Sequence, residues 1–343
     1  MKKTLLLCSA FLILSCGSTK SIAQKPDYSK ADVAKYMKSI TAEDLKKHLF
    51  IVASDEMEGR NTGTEGQKKA GKYLIAEYQK NKISYPKKAD GFYQKVPSEF
   101  MSRGFSPKLN DSENIWAFIE GSEKPEEILV ISAHYDHVGM KNGEIYNGAD
   151  DDGSGTVALL EIAQAFMQAK KDGFGPKRSI LFLHVTGEEH GLHGSRYYSE
   201  NPLFPIENTI ADINIDMIGR RDDDHKNTNN YVYVIGSDRL STDLHNINEE
   251  ANKKYVNLDL DYRYNDLNDP NRFYYRSDHY NFAKKGIPSI FYFNGVHEDY
   301  HQPGDEPEKI EYDALAKRTQ LAFVTAWELA NRENRPVVDK DGK

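Results

Sequence analysis

From residue 115 to residue 331 short apolar runs alternate with amphipathic stretches of helical period, and no other feature limits the possible folds as much. The apolar runs at 115–119, 128–133, 180–185, 210–216, 231–235 and 289–293 predict strands. Amphipathic stretches at 156–170, 192–199, 240–254, 278–285 and 312–331 predict helices between or after them. Two more helices are expected upstream. Thr41-Ala42-Glu43-Asp44 has the form of a capping box ahead of Leu45, His48, Leu49 and Val52, and a second helical pattern covers about 65–79. Residues 85–114 carry no assignable pattern. The alternation predicts an α/β fold, a three-layer αβα sandwich around a central, mostly parallel mixed sheet.

The first residues predict export. Lys2 and Lys3 precede an apolar run over residues 5–14, followed by Ser15-Cys16-Gly17. That run is shorter than the ~20 residues a membrane-spanning helix needs, so it reads as a signal peptide. Ile13-Leu14-Ser15-Cys16 resembles a bacterial lipobox, in which cleavage before the cysteine leaves its thiol to carry a lipid. The expectation is a lipid-anchored protein on the exported side of a bacterial membrane, touching it through Cys16. Cleavage after Ser21-Ile22-Ala23 would instead give a soluble secreted protein. Both cysteines, Cys8 and Cys16, fall in this segment, so the remaining chain has neither a disulfide nor a thiol nucleophile. The expected organisation is a signal peptide (1–15), a polar flexible tether (16–30), one domain (31–335) and a polar tail (336–343).

A formal net charge of -8 argues against nucleic acid as partner, since phosphate binding needs clustered Lys and Arg. The acidic groups have a better use in holding cations. His134-Tyr135-Asp136 directly follows the apolar run at 128–133, and in extended backbone Asp136 could accept the second ring N–H of His134 or lie behind it. Three consecutive acids, Asp150, Asp151 and Asp152, sit between glycines at the start of a predicted helix. Adjacent Glu188 and Glu189 follow another apolar run, where two acids repel unless a cation or a shared proton compensates. Asp216 ends a third apolar run and is costly there unless paired or coordinated. Tyr300-His301 lies in a loop before the last helix. Taken one at a time, these motifs also fit a strand-end turn, a helix cap, a surface turn and a solvated loop histidine. Together they share a place, since ligand crevices of open α/β sheets lie at the C-terminal ends of strands.

The order and local form of the motifs resemble the M28 family of zinc peptidases, the leucyl aminopeptidase and glutamate carboxypeptidase type. The segments that carry the resemblance are HYD at 134–136, ADDDGSG from Ala149, GEEHGLHGS from Gly187, DMIG from Asp216, SDHYNF from Ser277 and YHQPGD from Tyr300, with SDEMEGRNTGTEG upstream. The resemblance implies two zinc ions held by His134, Asp151, Glu189, Asp216 and His301, with Asp151 bridging. It makes Glu188 the general base and Tyr300 a candidate to polarise the substrate carbonyl. His137, His190 and His193 match no ligand position and are expected to be supporting or surface residues. Three carboxylates and a bridging hydroxide would balance the charge of two zinc ions, leaving Glu188 free as a base.

The implied activity is an aminopeptidase acting on peptides with a free N-terminus outside the cytoplasm. A dipeptidase or carboxypeptidase fits the same scaffold, because Arg272 or Arg276 near the SDH motif could recognise a carboxylate. Glutaminyl cyclisation fits less well, since it needs one metal and the ligand set provides for two. The non-enzymatic alternative is a lipid-anchored binding protein on an inactive peptidase scaffold, against which every ligand position is filled.

Overall fold

Apolar runs without polar alternation make strands buried on both faces, and the runs at 128–133 and 180–185 are neighbouring strands in the middle of the sheet. The structure, a computed structural model, describes residues 26–102 and 108–342. The signal peptide, Cys8, Cys16 and the first part of the tether lie outside the described residues.

The described strands are β1 (Tyr93–Val96), β2 (Ser112–Ile119), β3 (Lys124–His134), β4 (Gly139–Lys141), β5 (Glu144–Tyr146), β6 (Arg178–Val185), β7 (Thr209–Ile215), β8 (Tyr231–Ile235), β9 (Asp259–Asp261) and β10 (Ser289–Phe293). The helices are α1 (Val33–Lys38), α2 (Ala42–Val52), α3 (Glu65–Lys80), α4 (Ser98–Met101), α5 (Gly155–Lys171), α6 (His193–Glu200), α7 (Thr242–Ala251), α8 (His279–Ala283) and α9 (Tyr312–Asn331). One sheet takes the order β1-β2-β6-β3-β7-β10-β8-β9, while β4 and β5 form a separate hairpin. The pairs β6–β3, β3–β7, β7–β10 and β8–β9 are parallel; β1–β2, β2–β6 and β10–β8 are antiparallel.

The two-residue period of a strand divides each central run between the layers. Leu129, Ile131 and Ala133 of β3, with Ile180 and Phe182 of β6, pack against α1, α2, α3, α5, α7 and α9. Ile128 and Val130, with Leu181, Leu183 and Val185, meet Tyr198 of α6 and Phe282 of α8 on the opposite face. Helices therefore cover both faces, as expected of a three-layer sandwich. Among the described residues no helix is long and apolar enough to cross a membrane.

Register places the functional residues. His134 pairs with Val185, Ser132 with Asn214, and Tyr292 with Ile215. Continuing the β3–β7 register by one period sets Asp216 beside His134, and the residues after β6 and β10 emerge on the same rim.

Several elements differ from the sequence expectation for local reasons. Strand β1 falls in the unassigned stretch, too short and polar to announce itself, with Tyr93 and Lys95 exposed and Gln94 and Val96 buried. The helix expected at 240–254 starts at Thr242, because the Ser241 hydroxyl accepts a bond from Leu244 N at 3.2 Å, and its last turn widens over Asn252–Val256. Thr41 does cap α2, accepting from Asp44 N at 3.1 Å. Both expected flexible flanks touch the domain. Tyr28 packs its ring on Phe174 and donates to Gly175 O at 2.5 Å. Near the other end, Asp339 N donates to Leu240 O and Gly342 N to Arg239 O, each at 3.1 Å.

The loops bordering the rim are tied together by one buried cation. Arg60, fully buried, donates to Tyr135 O and Val52 O at 2.9 Å, to Asn147 O at 2.6 Å and to Gly148 O at 2.8 Å. An apolar replacement strands those carbonyls away from water, at ~1–3 kcal/mol for each group left unsatisfied. Arg60→Met is expected to lower the unfolding free energy of the metal-free protein by ~3 kcal/mol or more in urea titrations. A change below ~1 kcal/mol would contradict this role.

Candidate metal centre

His134 is the last residue of β3, and its ring is fixed before any ligand arrives. Its Nδ1 lies 3.0 Å from Asp136 O, and since a carbonyl only accepts, Nδ1 carries the hydrogen and Nε2 faces the site. From the sequence, the Asp136 carboxylate was expected either to accept this N–H or to lie behind the ring. That carboxylate stands 3.9 Å from Nδ1 and does something else: Oδ1 accepts from Glu188 N at 3.2 Å and Oδ2 from the Thr62 hydroxyl at 2.8 Å. The turn after β3 brings the Asp136 carbonyl to the imidazole, leaving the carboxylate to hold the Glu188 backbone.

Of the three consecutive aspartates, the outer two serve the backbone. Asp152 accepts from Gly155 N (2.9 Å), Met217 N (3.1 Å) and His134 N (3.2 Å), stitching α5 to the ends of β7 and β3. Asp150 accepts from Gly219 N at 2.6 Å and approaches His297 Nε2 at 3.1 Å. Asp305 in turn accepts from Asp150 N and Asp151 N at 3.1 Å or less. Gly155 has to be glycine, because a Cβ there would lie 2.3 Å from Ile215 O and 2.5 Å from an Asp152 carboxylate oxygen. Only Asp151 points into the site, with Oδ1 at 3.2 Å from His134 Nε2 and Oδ2 at 3.0 Å from His301 Nε2.

The remaining groups arrive from neighbouring strand ends. After β6 the chain turns at Gly187 (φ +67°) and presents Glu188 and Glu189. Glu189 Oε2 lies 2.9 Å from His301 Nε2, and Glu188 Oε2 lies 3.9 Å from His134 Nε2. Asp216 Oδ1 is 3.6 Å from His134 Nε2, while its Oδ2 accepts from the Ser277 hydroxyl at 2.6 Å. Asn214 completes that relay, donating to Ser277 Oγ at 2.7 Å. His301 itself adopts φ +55°, a conformation costing ~1–3 kcal/mol in a non-glycine residue, tolerated where a site demands it. Tyr300 stacks on the His301 ring at 3.9 Å, with its hydroxyl 3.4 Å from Arg276.

The structure thus brings together all the expected ligands, His134, Asp151, Glu189, Asp216 and His301, with Glu188 and Tyr300 beside them. Donor atoms of His134, Glu188 and Asp216 lie within 4.8 Å of one another, as do those of His137, Asp151 and Glu189. His137 was not expected there; it is fully buried, with Nδ1 2.7 Å from Glu189 Oε1. The other two unmatched histidines do not join the cluster, His190 meeting Asn61 and His193 meeting Arg196, each at 3.1 Å.

The electrostatics call for cations. Burial, reinforced by the charges of Asp216 and Glu189, pushes the Glu188 carboxyl well above its usual range. Burial alone would depress both cluster imidazoles, yet Glu188, Asp216 and Asp151 hold His134 well above its usual value. Asp151 and Glu189 likewise lift His301 to about 10. Glu189 Oε1 and both ring nitrogens of His137 are buried without a hydrogen-bond partner. Imidazoles and carboxylates converging in this way form a donor set suited to zinc or a similar divalent ion. Beside it lies a cleft lined by Met217, Phe273, Phe291, Phe293 and Val296, with Arg276, Tyr300 and Glu188.

Known proteins resemble this chain in sequence and in fold. The profile of Peptidase family M28 matches residues 114–326. A protein of Trichophyton verrucosum named "Probable leucine aminopeptidase" is 32% identical over 226 residues, covering 63% of this chain and 57% of the relative. A "Probable zinc metalloprotease" of Pyrenophora teres is 24% identical over 261 residues, covering 65% and 52%. The chain therefore matches little more than half the length of these relatives. The crystal structure of the Legionella pneumophila LapA aminopeptidase superposes with a TM-score of 0.67 at 20% identity, covering 97% of this chain and 81% of that one.

A histidine must be neutral to ligate a metal. With His301 raised to about 10 and His134 also raised, both are protonated in the metal-free protein at neutral pH. Zinc uptake at pH 7 is expected to release protons, the release shrinking as pH rises toward 10 and His301 loses its proton unaided. Calorimetric titration in buffers of different ionisation enthalpy measures it. Zinc binding at pH 7 without net release would contradict the described ion pairing.

Proposed function

Since the chain belongs to peptidase family M28, we propose that it is a zinc-dependent aminopeptidase with two metal ions in its site, removing N-terminal residues from peptides. The observation that carries this reading is the placement of Asp151, one carboxylate oxygen against His134 and the other against His301. His134 and Asp216 would hold one ion, Glu189 and His301 the other, and Asp151 both. Zinc bound there would acidify water and polarise the scissile carbonyl.

The chain's own residues supply the rest. Glu188 lies at the edge of the cluster, its backbone held by Asp136, and burial favours its taking up a proton. It takes a proton from the attacking water and returns it to the leaving amine. Asp136 never meets the substrate; it positions Glu188. The Tyr300 hydroxyl is kept protonated, burial and the nearby Asp151 and Glu189 charges raising it well above its usual value. It can therefore donate to the oxygen on which negative charge develops. A free amino terminus is attracted to Glu188 and Asp216, and the apolar walls from Met217, Phe273, Phe293 and Val296 suit an apolar side chain on the N-terminal residue.

Arg276 supports a second reading. It lines the same cleft, with its guanidinium 4.8 Å from the Phe273 ring, and could bind a substrate carboxylate as a dipeptidase or carboxypeptidase would. Cyclisation of glutamine needs one metal and gives the second half of the cluster no use.

Two experiments test the reading. Glu188→Gln is expected to keep its bound zinc and lose turnover by ~100-fold or more, the scale of general acid–base catalysis; turnover equal to the native protein would remove Glu188 from the reaction. Hydrolysis of free and N-acetylated peptides, with and without a C-terminal amide, separates the activities. Cleavage is expected only with a free amine, faster for Leu or Phe than for Asp at the first position and indifferent to C-terminal amidation. Loss of activity on amidation would favour the Arg276 reading.

A further inference from the structure

His137 stands in the site without an assigned task. It follows β3 by three residues, and its backbone N donates to Arg60 O at 3.2 Å. Its ring is pinned by Gly148, where a Cβ would come within 2.4 Å of the imidazole, so only glycine lets the acidic loop close over it. The side chain is fully buried, yet neither ring nitrogen has a hydrogen-bond partner. Unpaired polar groups at such depth are costly, and proteins retain them where something else satisfies them.

The neighbours say what that is. Nδ1 of His137 lies 2.7 Å from Glu189 Oε1 and 3.9 Å from Asp151 Oδ2. His301 Nε2 lies 2.9 Å from Glu189 Oε2 and 3.0 Å from Asp151 Oδ2. Donors around one zinc ion at ~2.0–2.1 Å stand ~3.3 Å apart in a tetrahedron, and these separations bracket that value. The 2.7 Å contact with Glu189 lacks the alignment of a hydrogen bond, which leaves both atoms without a hydrogen-bond partner. Two ligands of one ion approach each other in this way, because each aims at the metal and not at its neighbour.

We propose that His137 is a direct metal ligand through Nδ1, sharing the ion of Asp151, Glu189 and His301. This rests on the two-ion reading of the site and makes its halves unequal. One half holds its ion with two imidazoles and two carboxylates; the other relies on His134, Asp151 and Asp216. The first half is the tighter, and the second keeps its position open toward Glu188 and the cleft.

The test is a count of ligating imidazoles in the full protein loaded with cobalt(II), whose contact-shifted exchangeable N–H resonances come only from histidines bound to the metal. The native protein is expected to show three such resonances, and His137→Gln two. Two resonances in the native protein with two cobalt ions bound would overturn the proposal while leaving the two-ion site standing. Failure to bind two cobalt ions would overturn both. Mild chelation adds a second readout: the native protein is expected to retain one ion under conditions that strip His137→Gln completely. Equal retention by both would count against the ligand role.

Discussion

Asp151 meets two imidazoles, one with each carboxylate oxygen, and the rest of the rim is built so that it can. A carboxylate in that position has to be buried, aimed and kept from bonding to the backbone around it. The chain achieves this by giving the surrounding backbone other acids to bond. Asp150, Asp152 and Asp305 accept from the amides of Gly219, Gly155, Met217, His134, Asp150 and Asp151. A run of three aspartates that looks like excess charge is one functional acid between two structural ones.

Burying so many acids raises the free energy of the metal-free protein, and the pattern of protonation shows where that pressure falls. Burial lifts Glu188 and Asp152 well above the carboxylate range and Asp278 to about 7. His134 and His301 are held cationic by the same charges. Arg60, the buried cation behind the site, gives its donors to four carbonyls, so it fixes the loops without neutralising a ligand. Divalent cations would relieve the remaining repulsion, which couples the stability of this rim to metal binding.

Much of this was legible in the sequence, unevenly. The strands at 231–235 and 289–293 and the helix at 312–331 match their expected limits, because sharp changes of period bound them. Strand-end acids and histidines indicated a crevice, and parallel register put them on one rim. Of the two expectations for Asp136, acceptance from the His134 ring is not met, because residue spacing along a strand says where a side chain points only while the strand continues, and β3 ends at His134. His137 was passed over since no spacing rule relates it to Glu189; its signal is the glycine at 148 that its ring requires. Arg60 lies within the matching segment SDEMEGRNTGTEG, but its role left no trace, as its partners are carbonyls and carry no residue identity. Short edge strands such as β9, with the sequence Asp-Leu-Asp, take their form from pairing with a neighbour and have no pattern of their own.

In the proposed two-ion site Asp151 stands between the two metal positions. Anomalous diffraction at the zinc edge from crystals of the zinc-loaded protein measures this directly. The expected result is two peaks ~3.5–4 Å apart, as in two-metal hydrolases, with one oxygen of Asp151 coordinating each. A single peak, or a pair not bridged by Asp151, would contradict the two-ion site.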